Sequence, residues 1–106
     1  MTEFKVGHLA DFPPNAAHAI EVDGEQLVLV RDGASVYALE DRCSHADVAL
    51  SDGDVDGCSI ECFLHGATFD VRTGAPTGLP ATKPVQTYPV RIEDPDGTAA
   101  VYVEIG

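Results

Sequence analysis

Positive charge, cysteine and long apolar runs are all scarce in this chain, and each scarcity removes a class of function. Only 6 of its 106 residues are Lys or Arg against 18 Asp or Glu, for a formal charge of -12 at pH 7. So acidic a protein repels nucleic acid phosphates and anionic membranes and favours a partner with a basic docking surface. No apolar stretch reaches the roughly 18 residues of a membrane span, and Met1-Thr2-Glu3-Phe4-Lys5 has neither the basic end nor the apolar run of a signal peptide. A cytoplasmic protein is the expectation. Three cysteines, an odd number, do not build a disulfide framework and suit a reducing compartment in which thiols are free to bind metal. The length leaves room for one domain over residues 1–106 and for no second, catalytic one. With 44% hydrophobic and 23% charged residues the composition is that of a globular fold, which argues against disorder.

Helical periodicity is missing too. Short strand-like runs, separated by Gly, Asp, Asn and Pro, predict an all-β domain with strands over Phe4 to Leu9, Ala17 to Val22, Gln26 to Arg31, Ser35 to Glu40, Val85 to Ile92 and Thr98 to Ile105. Asp23-Gly24 and Asp32-Gly33 tolerate the positive φ of tight hairpins, so the second, third and fourth strands form an antiparallel meander. Leu27-Val28-Leu29-Val30 is apolar on both parities and reads as a strand buried on both faces. In the last strand Val101, Val103 and Ile105 form the preferentially buried face. Pro89 cannot donate to a ladder, which puts its strand at a sheet edge or calls for a bulge. From Asp41 to about Thr82 the alternation breaks up among Cys, His, Gly and Pro, marking a site module continuous with the rest.

That module carries Cys43-Ser44-His45 and, after sixteen intervening residues, Cys62-Phe63-Leu64-His65. Zinc fingers pair cysteines in one segment and histidines in the other, whereas here each segment offers one thiolate and one imidazole. The split suits a two-iron cluster in which one iron takes both thiolates and the other both imidazoles, with a structural zinc site as the alternative. The four ligands, their spacing and Gly66 resemble the Rieske signature. Asp41-Arg42-Cys43-Ser44-His45, Ser51-Asp52-Gly53, the run from His65 to Gly74 and Leu79-Pro80-Ala81 further resemble the stand-alone Rieske ferredoxins of bacterial aromatic ring-hydroxylating dioxygenase systems.

The resemblance implies an antiparallel β sandwich or barrel with a two-loop cluster-binding subdomain, approximately residues 41–82. It also implies one [2Fe-2S] cluster per chain held by Cys43, His45, Cys62 and His65. The role it implies is electron delivery from a flavin-dependent or similar reductase to a terminal oxygenase, with no catalysis by the chain itself. Cys43 and Cys62 are then anchors, and His45 and His65 bind the iron that exchanges the electron. High-potential relatives carry a loop-bridging cysteine pair where this chain has Val48 and Leu64, and hydroxyl donors where it has Ala67 and Phe69. The lack of those donors predicts the lower part of the Rieske range, below about 0 mV.

The remaining candidates have structural readings. Cys58 shares strand parity with Ile60 and Cys62 and is expected to be a small buried hydrophobe. His8 and His18 lack partners at ligand spacing and are expected at the surface or in packing. Phe63, Leu64 and Leu79-Pro80 either pack around the site or form an apolar docking rim. The Asp52, Asp54 and Asp56 series reads as a solvated turn, since a calcium loop's pattern is absent. A mononuclear oxygenase site does not fit in this length, and a role in iron-sulfur cluster assembly or redox sensing stands as a second functional expectation.

Overall fold

The computed structural model describes residues 2–43, 48–64, 66–79, 83–94 and 97–105. Its strands are β1 (Thr2–His8), β2 (His18–Val22), β3 (Glu25–Asp32), β4 (Ser35–Glu40), β5 (Asp54–Asp56), β6 (Ser59–Glu61), β7 (Thr68–Asp70), β8 (Pro76–Gly78), β9 (Thr87–Tyr88), β10 (Val90–Glu93) and β11 (Ala100–Ile105). They form three antiparallel sheets, ordered β1-β11-β10, β2-β3-β4-β9 and β5-β6-β7-β8. Among the described residues the only helical elements are 3-10 turns at Leu9–Asp11 and Leu50–Asp52. No helix among the described residues is long and apolar enough to cross a membrane.

The doubly apolar run of β3 explains how the sheets stack. Leu27, Val28, Leu29 and Val30 are all fully buried, and successive side chains point to opposite faces. Val28 and Val30 join Leu39, Leu50, Ile60, Phe69, Val71 and Val85 in one core, beneath the sheet β5-β6-β7-β8. Leu27 and Leu29 join Val36, Ala38, Val101 and Val103 in a second, beneath β1-β11-β10. The sheet containing β3 is therefore the middle layer, covered on both sides. Phe69, fully buried, is the largest side chain of the first core; truncating it to Ala would leave a cavity costing about 3–5 kcal/mol.

Turn chemistry fixes the meander. Asp23 and Gly24, at φ 51 and 80, link Val22 to its partner Glu25, as a two-residue hairpin with both central residues at positive φ requires. The next turn lies one residue later than the sequence suggests. Asp32 still pairs with Ser35, so Gly33 (φ 63) and Ala34 make the turn, glycine taking the first central position.

The expected strand from Val85 to Ile92 is in fact two. β9 is the edge of the middle sheet and β10 the edge of the first, with Pro89 between them. A proline needs no ladder partner for its nitrogen, and its carbonyl accepts from Glu104 N–H at 2.9 Å, so the chain changes sheets there without stranding a polar group. The module after Asp41 is also more regular than its broken alternation suggests: four strands of three residues each pair in chain order. Asp54 and Asp56, expected in a turn, belong to β5. The Gly57 N–H donates to Asn15 Oδ1 at 3.2 Å, tying the β5–β6 hairpin to the loop before β2.

Candidate metal centre

Two loops, built alike, leave the middle and third sheets. The first follows β4. Asp41 N–H still bonds to Gln26 O at 3.0 Å, and Cys43 N–H then donates to Val48 O at 2.9 Å. Behind that closure the Asp41 carboxylate accepts from Ser51 N–H at 2.7 Å and from the Ser51 hydroxyl at 2.6 Å, clamping the entry of the loop to its exit. The second loop is the β6–β7 connection. Glu61 and Thr68 are its last paired residues, Cys62 N–H donates to Ala67 O at 2.7 Å, and Gly66 takes φ 72. In both loops a cysteine amide reaches the carbonyl five residues on, so two loops of equal span start from a cysteine fixed by its own backbone.

Both cysteines end in the same core, 1% and 0% exposed, and no disulfide joins them. The Cys43 side chain and the Leu64 backbone N–H are both close enough to act on the Cys62 thiol. Burial pushes the Cys62 thiol above the ordinary value; the Leu64 N–H works against this rise and the neighbouring Cys43 adds to it. Two convergent thiols without water favour ionisation only when a cation shares the site, because an isolated thiolate pair would be desolvated and self-repelling. A metal that displaces both protons supplies that charge. The donor set therefore fits a thiolate-bound iron. His45 and His65, the other two expected ligands, lie outside the described residues, as do Pro80 and Ala81. Among the described residues no group of three or more His, Cys, Asp or Glu surrounds a metal position.

The surroundings of the pair are apolar. Ala67 and Phe69 are fully buried in the core shared with the two cysteines, and Val48 and Leu64 pack against it half-exposed. Phe63 and Leu79 behave differently: at 57% and 80% exposure they are the exposed large hydrophobics of the described chain. Phe63 adjoins Cys62, so one of these two stands on the loop that carries the buried thiol. Of the residues expected to pack or dock, Leu64 packs and Phe63 and Leu79 face solvent.

Cys58 departs from its expected burial. It contacts the first core but remains partly exposed at the β5–β6 turn, and its thiol donates to Asp32 Oδ2 at 2.9 Å. That bond, with burial and the Asp32 charge, raises its pKa, while Arg72 opposes the rise. Strand parity gave the direction of the side chain; Asp32, twenty-six residues earlier in the chain, decided its chemistry. His18 shares a hydrogen bond with Pro13 O at 2.9 Å and meets the Phe12 ring edge-on at 5.6 Å, so it packs. The His8 amide donates to Asp11 in the adjacent 3-10 turn. The Asp41–Ser51 clamp is what residue-type reasoning missed: both residues stand in the motifs quoted above, but neither is a ligand type paired at ligand spacing.

Comparison with known proteins agrees with this arrangement. The family model for the Rieske [2Fe-2S] domain matches residues 2–89. The ferredoxin component of the naphthalene 1,2-dioxygenase/salicylate 5-hydroxylase systems of Ralstonia sp. is 38% identical over 86 residues, 81% of this chain and 83% of that protein. The ferredoxin of carbazole 1,9a-dioxygenase from Nocardioides aromaticivorans IC177 superposes with a TM-score of 0.88 at 44% identity, covering 97% of each chain. A ferredoxin solved in a complex of reduced oxygenase and oxidized ferredoxin in carbazole 1,9a-dioxygenase gives 0.85 at 36% identity, over 95% of this chain and 100% of that one. With two matched loops carrying its cysteines into one core, and with relatives of this likeness over most of its length, the chain belongs to the Rieske [2Fe-2S] domain family.

Proposed function

We infer that this protein is the ferredoxin component of a dioxygenase system, a one-electron carrier that accepts from a reductase and delivers to a terminal oxygenase. The observation that carries the reading is the pair of equally closed loops whose cysteines meet in one dry core, in a chain whose relatives are ferredoxins of such systems. Residues 1–106 are read as one domain with the cluster-binding subdomain over about 41–82, and the protein as cytoplasmic. Cys43 and Cys62 are assigned to one iron, and His45 and His65 to the other.

A [2Fe-2S] cluster, when bound, supplies reversible storage of one electron. The chain's own residues do the rest. Cys43 and Cys62 anchor through sulfur and exclude water. The Leu64 N–H lowers the pKa of Cys62 and so favours negative charge on its sulfur. Ala67 and Phe69 bring no hydroxyl to the site, so the backbone donor acts without the side-chain donors that raise the potential, and the midpoint is expected below about 0 mV. Phe63 and Leu79 offer an apolar contact where the oxygenase docks.

The decisive experiment is anaerobic purification followed by metal and acid-labile sulfide analysis, absorption and electron paramagnetic resonance. Two irons and two sulfides per chain with a Rieske spectrum are expected. Substituting Cys43, His45, Cys62 or His65 by Ala should abolish that spectrum, and substituting His8 or His18 should not. A colourless zinc protein without sulfide would overturn the assignment. With reductase and oxygenase added, Leu79→Lys should slow turnover while leaving the spectrum intact.

A further inference from the structure

Glu61 is a charged residue of the site to which ligand binding gives no task. It is the last residue of β6, directly before Cys62, and it is paired with Asp54 of β5 on one side and Thr68 of β7 on the other. Directly paired residues present their side chains on the same face, so two carboxylates stand opposite each other, which costs stability. None of the ion pairs among the described residues involves Glu61 or Asp54. The exposed Glu61 carboxylate lies on the side of the second loop: its Oε2 is 3.9 Å from where a Cβ on Gly66 would stand. It therefore stands near the residue that follows His65.

An unneutralised carboxylate there has one physical consequence for a site that gains an electron. Its field disfavours added negative charge, by an amount set by distance and by the water around it. Because Glu61 is exposed, the effect is moderate and screened by salt. We propose that Glu61 is a tuning residue of this ferredoxin, its charge beside Gly66 lowering the electron affinity of the iron held by His45 and His65. This rests on the ligand assignment made above, and it gives a reason for keeping a like-charged pair where a neutral residue would be more stable.

The test is an anaerobic redox titration of the wild type and variants, followed by circular dichroism. Glu61→Gln should shift the reduction equilibrium toward the reduced form about threefold to tenfold, ~28 to 59 mV at the one-electron conversion. Glu61→Lys should shift it further, and Glu61→Asp, which keeps the charge, should leave it near the wild type. Asp56→Asn, on the same face at the far end of the β5–β6 hairpin, should move it less than half as far as Glu61→Gln. The Glu61→Gln difference should also shrink as salt is raised. A wild-type midpoint in both Glu61→Gln and Glu61→Lys, or an equal shift in Asp56→Asn, would overturn the proposal while leaving the ligand assignment standing. A wild type without a Rieske spectrum would overturn the assignment and this inference with it.

Discussion

Cys58 and Cys62 stand four residues apart with the same parity, yet the fold gives them opposite chemistry. Cys62 is sealed in the core beside another thiol, whereas Cys58 is half-exposed and donates to Asp32. A thiol beside a carboxylate resists ionisation, and the upward shift of Cys58 has Asp32 as its first cause. The folded thiol thus stays neutral to higher pH than the unfolded one. Any stability the pair contributes is fully present below the unfolded thiol pKa and is lost as pH rises through the folded value. Alkylation follows the thiolate fraction, so iodoacetamide should modify Cys58 slowly near pH 8 and Asp32→Asn should speed the reaction several-fold, read by mass spectrometry of the holoprotein. Equal rates in the two proteins would dismiss the Asp32 effect. Cys58→Ala should keep the cluster spectrum.

Among the elements, the β5–β6–β7 ladder depends on two glycines for different reasons. Gly53 has φ -92, which any residue adopts, but a Cβ on it would lie 1.8 Å from Glu61 O. Gly57 has φ 61 and nothing within 4 Å of its Cβ position. Gly53→Ala must push the end of β6 away from the first loop, at a cost of about 1–3 kcal/mol or more. Gly57→Ala meets only the backbone penalty of about 1–2 kcal/mol. Urea unfolding should rank Gly53→Ala as the more damaging, and it should also shed iron faster, because Glu61 leads directly into Cys62. The reverse ranking would mean that the contact at Gly53 relaxes freely.

At the scale of the whole molecule, the three sheets enclose two separate cores and leave the charge outside: no charged or polar residue of the described chain is buried. With a net charge of -12 distributed over that surface, encounter with a basic partner is steered by long-range attraction. The bimolecular rate of electron transfer to a cognate oxygenase should therefore fall steeply as the ionic strength rises from about 0.01 M to 0.15 M, where the screening length drops from about 30 Å to 8 Å. Stopped-flow measurement across that range checks it; a flat or rising salt dependence would mean that the acids serve solubility and that docking rests on the apolar contact of Phe63 and Leu79.

The sequence by itself determined the all-β class, the meander from β2 to β4, the burial of β3 on both faces and the family, because each of these follows from local periodicity, turn residues or ligand spacing. The expectation that Cys43 and Cys62 share a site came from each being closely followed by a histidine, and the two do share one core. Only the tertiary structure decided that the run around Pro89 serves two sheets, that Asp41 clamps Ser51, that Cys58 bonds to Asp32 and that the Glu61 carboxylate lies near Gly66. Each of these depends on how the chain folds back on itself, within a loop or between sheets, and no periodicity along the chain encodes which distant residue a side chain will meet.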